Sequence, residues 1–89
     1  MAAHTNESLR LAAREVLATR PGIALDARGI RRRIEQDQLV DFRFTDDELR
    51  AALAVLIALR QAGVEHGPLG ATEHFQATAE GILAFERGQ

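Results

Sequence analysis

Cysteine is absent from the 89-residue chain, which excludes disulfides, thiolate metal sites and cysteine nucleophiles together. Lysine is absent too. All eleven basic residues are arginine and stand against thirteen acidic ones, for a net charge of -2. A dedicated nucleic-acid binder usually shows a basic excess, so whole-chain charge does not point to DNA. The start MAAHTNESLR has no basic segment followed by an apolar run, and nowhere do roughly 18 apolar residues follow one another. The chain therefore reads as soluble and cytoplasmic. Serine occurs only as Ser8, outside any nucleophile context, and no glycine-rich phosphate loop follows a strand. Neither catalysis nor a cofactor is expected on these residues. Abundant alanine, with arginine as the sole strong base, suggests a GC-rich bacterial or phage genome.

What is present describes one domain, residues 1–89, with residues 1–5 as a flexible N-terminus that includes His4. The hydrophobic content of 46% suffices for a core that removes roughly two thirds of the unfolded surface from water. There is no internal repeat and no low-complexity segment. Thr5 or Asn6 can cap a first helix in which Leu9, Ala12, Ala13, Val16 and Leu17 form one apolar stripe at helical period. Arg20-Pro21-Gly22 ends it. Ile23 to Leu25 make a short extended segment, a third strand if the sheet has three. Asp26 then caps a second helix through roughly Gln36, with Ile30 and Ile34 facing inward.

Leu39, Val40, Phe42 and Phe44 anchor the linker that follows. Thr45 opens the third helix with a capping box completed by Glu48 and a hydrophobic staple between Phe44 and Leu49. This helix is expected to run to about Ala62, with Gly63 as its left-handed stop and Val64 re-entering the core. Val64 to His66 and Thr72 to Ala77 are the arms of a β-hairpin with Gly67-Pro68-Leu69-Gly70 at its tip. The apolar pattern favours Val64 opposite Phe75, which sends His66 and His74 to opposite faces and leaves no metal site. Thr78 caps a last helix through Glu86 that buries Ile82 and Phe85, with Leu83 a further candidate.

Helix, short strand, helix, packed linker, helix, hairpin and helix in this order resemble the winged helix-turn-helix superfamily, in the form used by small bacterial and phage regulators. The residues that carry the resemblance are Asp26 to Ile34, Thr45 to Ala62, the exit Ala62-Gly63-Val64, and Phe75 to Gly81 with the phrase FQATAEG. It covers nearly the whole chain. The fold it implies is α+β, with a three-helix core, a β-hairpin wing in a two- or three-stranded sheet, and a short C-terminal helix. The function it implies is double-stranded DNA binding, with the third helix in the major groove and the hairpin on the backbone or minor groove.

Residue by residue, the third helix presents Leu49, Ala52, Leu53, Val55, Leu56, Ile57 and Leu59 over about 200° of its wheel, wider than a one-sided stripe. The remaining face carries Asp47, Arg50, Ala51, Ala54, Ala58, Gln61 and Ala62. Base readout favours Arg, Lys, Asn or Gln near the helix start, whereas the first turn holds Asp46, Asp47 and Glu48, which complement the helix dipole. The candidates for DNA contact are Arg28, Arg31, Arg32, Arg50 and Gln61. Arg33 completes the basic cluster of helix two, where Glu35 and Asp37 stand within pairing reach of Arg31 to Arg33. Arg10 or Arg14 on helix one, and Arg43 in the linker, are further positive groups. A second class of function, protein contact or homodimerisation, rests on Ala51, Ala54 and Ala58, a face that permits close approach, and on Leu69 at an uncharged hairpin tip.

Overall fold

The computed structural model describes residues 2–66 and 72–88, with side chains from Asn6 onward. The elements run in the order α1 (Ala2–Ala18), β1 (Leu25–Asp26), α2 (Ala27–Gln36), α3 (Asp46–Ala58), β2 (Ala62–His66), β3 (Glu73–Ala77) and α4 (Ala79–Glu86). They form a small α+β domain in which the helices pack around and beside a three-stranded antiparallel sheet of order β1-β3-β2. Among the described residues, no helix is long and apolar enough to cross a membrane.

The core joins one stripe from each of the first three helices. Leu9, Ala12, Ala13, Val16 and Leu17 of α1 meet Ile30 and Ile34 of α2 and Leu49, Ala52, Leu53 and Leu56 of α3, closed by Phe44, Ala62 and Phe75. Leu39, Val40 and Phe42 pack against this cluster from the linker, so the connection between α2 and α3 is held by apolar contacts.

Each of the last three helices begins with a side chain that satisfies a backbone N–H the helix leaves open. Asp26 accepts from Gly29, Thr45 accepts from Glu48 while the Glu48 carboxylate accepts from the Thr45 N–H, and Thr78 accepts from Gly81. The hairpin takes the register Val64↔Phe75, with Glu65↔His74 and His66↔Glu73, so the two histidines lie on opposite faces. Its tip, Gly67 to Ala71 with Leu69, lies outside the described residues.

Several boundaries differ from the expectation. α1 starts at Ala2, not at Thr5 or Asn6, because Ala2 and Ala3 are strong helix formers and nothing after them breaks the helix; residues 2–5 are therefore helical. The third strand is Leu25–Asp26, not Ile23 to Leu25: Leu25 pairs with Phe75 and Asp26 with His74, while Ile23 is 52% exposed. α3 ends at Ala58, four residues before Ala62, and its left-handed stop is Arg60 at φ 60, not Gly63. The Arg60 N–H donates to the Ile57 carbonyl and the Gln61 N–H to the Leu56 carbonyl, the paired bonds of a Schellman ending. α2 ends the same way on Gln38 at φ 51, with Gln38 bonded to Glu35 and Leu39 to Ile34. Because α3 stops early, Ala62 is a buried strand residue and Leu59 is 48% exposed. Val55 and Ile57 are only half-buried, so the apolar face of α3 is narrower than its composition suggests. In α4 the inward residues are Gly81 and Ala84, whereas Ile82 and Phe85 are half-buried and Leu83 is exposed. The reason is how closely α4 approaches the chain at Gln61, described below.

Candidate nucleic-acid interface

Asp26 acts twice. Its backbone closes β1 against His74, and its carboxylate accepts the Gly29 N–H at 2.8 Å, which starts α2 beside the base of the hairpin. Arg28 is thereby carried to the sheet end of α2. The capping box at Thr45 fixes the start of α3, and Arg50 follows one turn later on its exposed face. Arg28 and Arg50 line one open cleft together with Asp26, Thr72, Glu73 and the Phe75 floor. At about 260 Å³ it lies below the range of pockets that enclose a drug-sized ligand, and suits a group presented on the surface of a larger partner.

Arg28 and Arg50 form no salt bridge among the described residues, although two carboxylates share the cleft. One of these, Asp26, is engaged as a helix cap; Glu73 is exposed. Arg32, one turn beyond Arg28 on α2, is exposed as well. The cleft is thus a meeting of cations and acids and not a continuous positive strip.

The other candidates sit elsewhere. Arg31 turns toward the start of α3, where its guanidinium stacks on the Phe44 ring at 4.4 Å and donates to the Phe44 carbonyl, to Asp46 and, at longer range, to Glu35. Together with Arg43 it borders a second groove, between α2 and the linker, with Ile34, Val40 and Phe42 on its apolar side. Asp37 forms no ion pair among the described residues; it is the C-cap of α2. Gln61 lies past the end of α3 and accepts from the Arg14 guanidinium at 3.3 Å, so it is not part of the α3 face. Arg14 is itself buried, at 6% exposure, and burial first, then the neighbouring Arg10, hold its pKa below the ordinary arginine value. Burial also removes it from any set of surface cations. Ala51, Ala54 and Ala58 are all exposed on α3, beside the acidic first turn.

Thr72 and Glu73 join the site without having been singled out in the sequence. No local signal marks them, because what brings them to α2 is the pairing of β1 with β3 across the chain. Among the described residues no group of His, Cys, Asp and Glu side chains is arranged to hold a metal ion. No protein-family model matches the chain, and no curated protein or solved structure is detectably similar to it.

Proposed function

We propose that the chain is a winged-helix DNA-binding module, of the kind that serves small bacterial and phage transcriptional regulators. The observation that carries this reading is the cleft in which Arg28 of α2, Arg50 of α3 and the hairpin base at Thr72 come together. A duplex lying across α3 would meet Arg28 and Arg32 at its phosphates and Arg50 at its base edges. The element order and the β1-β3-β2 sheet support the same reading, since they place the hairpin beside the third helix.

The test is duplex binding over a range of salt. Wild-type affinity is expected to fall steeply as salt rises. Arg28→Gln with Arg32→Gln should weaken binding uniformly across sequences and lower the salt slope by about two, whereas Arg50→Gln should cost about 1–3 kcal/mol on a preferred sequence and little elsewhere. Affinity that ignores both salt and these substitutions removes the proposal.

A second reading has its own observation. The exposed face of α3 consists of Ala51, Ala54 and Ala58 behind an acidic turn, with Arg50 its single cation up to the helix end. That surface suits a partner protein or a second copy of the chain better than it suits phosphates. On this reading Ala54→Arg dissociates a dimer or complex, seen by light scattering, while the circular dichroism spectrum stays that of the wild type. A wild type that is monomeric at every concentration and binds duplex removes the second reading.

A further inference from the structure

Arg31 is the most heavily engaged cation on the described surface, and all of its contacts converge on the entry to α3. Its guanidinium carbon lies 4.4 Å from the centroid of the Phe44 ring. Nη1 and Nη2 both donate to the Phe44 carbonyl, at 3.0 and 2.5 Å. Nε donates to Asp46 Oδ1 at 3.2 Å, and Nη1 lies 3.9 Å from Glu35 Oε2. The Phe44 carbonyl belongs to the residue before the cap, and the helical ladder of α3 begins only at Thr45, whose carbonyl accepts from Leu49. Arg31 therefore supplies donors to an acceptor that the helix does not use. Phe44 is buried at 7% exposure, so the ring that Arg31 covers is fixed in the core.

The arrangement needs a planar, forked cation. An ammonium at this position would offer a single point of charge, without the flat face for the ring or two parallel N–H groups for one carbonyl. Arg28 precedes Arg31 by three residues, about one helical turn of α2, and Arg50 follows Asp46 by four, about one turn of α3. The clamp thus sits one turn from each of the two arginines that share the cleft.

We propose that Arg31 is a positioning residue: it sets the spacing and angle between α2 and α3 so that Arg28 and Arg50 face one partner, and it does not itself contact that partner. The inference rests on the DNA-binding reading and gives Arg31 a role different from that of a phosphate contact.

Arg31→Lys and Arg31→Gln in the full chain separate the possibilities. Position 31 is partly exposed, at 27% of its side chain, so both variants are expected to fold; circular dichroism selects a temperature at which each is native. Binding to a random-sequence duplex is then followed by fluorescence anisotropy at several salt concentrations. The expected result is a loss of about tenfold in affinity for both variants, with the salt slope of the wild type retained. Three outcomes overturn the inference. If Arg31→Lys binds like the wild type and Arg31→Gln loses about one unit of salt slope, Arg31 contacts phosphate. If both variants melt lower but bind as tightly as the wild type, the clamp is structural only. If the wild type binds no duplex, the DNA-binding reading itself fails and this role falls with it, whereas the first two outcomes leave that reading standing.

Discussion

Gly81→Ala is expected to destabilise the protein by about 3 kcal/mol, although alanine is the better helix former by about 1 kcal/mol. A Cβ at position 81 would lie 2.0 Å from the Gln61 carbonyl oxygen and 2.9 Å from its carbon. Neither is the far end of a flexible side chain. The segment it would strike is pinned from several sides: the Thr78 N–H donates to the Gln61 carbonyl, the Thr78 hydroxyl donates to the Arg60 carbonyl, and the Gln61 N–H closes the Schellman ending of α3. The methyl group can be accommodated only by lifting the first turn of α4 off this seat, which breaks those bonds and uncovers the buried side of Ala84. In a domain of this size about 3 kcal/mol corresponds to a fall in melting temperature on the order of 15 °C. Gly63→Ala is the matched control, because a Cβ there meets nothing within 4 Å and glycine inside a strand is itself unfavourable. A Gly81→Ala protein that melts at or above the wild-type temperature would refute the close seat.

Leu53→Ala is expected to cost about 3–5 kcal/mol, as large an effect as any side-chain truncation in the chain. Leu53 has no exposed surface and lies at the middle of α3, among the stripes contributed by α1 and α2. Truncation removes transfer free energy and leaves a void that neighbours from three helices cannot fill without moving together. Against a total stability of roughly 4–13 kcal/mol for a domain of this length, that loss is expected to leave the variant partly unfolded near physiological temperature. Leu83→Ala, which removes the same atoms at a site 46% exposed on α4, should change stability by less than about 0.5 kcal/mol. Denaturant titration of the pair reads the difference directly, and comparable midpoints for the two variants would contradict the assigned core.

What the sequence made legible is what is decided within a few residues. Asp26, Thr45 and Thr78 cap their helices over a span of three, and each is visible as a short polar residue ahead of an apolar run. The hairpin register follows from Val64 and Phe75, since a slip by one would have turned an apolar side chain to solvent. Helix ends were less legible. Gly63 looked like the stop of α3, but the left-handed position fell on Arg60, as it fell on Gln38 after α2. A non-glycine residue there costs about 1 kcal/mol or more, a strain that the following anchored segment holds in place: Leu39 packs on the core after Gln38, and Ala62 is buried after Arg60. The candidate site was least legible. Arg31 looked equivalent to Arg28 and Arg32 in a basic run, yet its partners Phe44 and Asp46 stand 13 and 15 residues away. Gln61 looked like the last polar group of a recognition face until the early end of α3 turned it toward Arg14. In each case a contact distant in sequence, absent from any local pattern, separated a structural role from a surface one.

β3 is the middle strand of the sheet but the last of the three in sequence. During synthesis, α1, α2 and α3 can collapse on one another while β1 and β2 still lack the neighbour each must pair with. Both ladders close only when Glu73–Ala77 leaves the ribosome, and α4 docks on Gln61 after that. The hairpin and the amino-terminal half of the chain are thereby joined in one late cooperative step, so the cleft between Arg28 and Thr72 is among the last features of the molecule to exist.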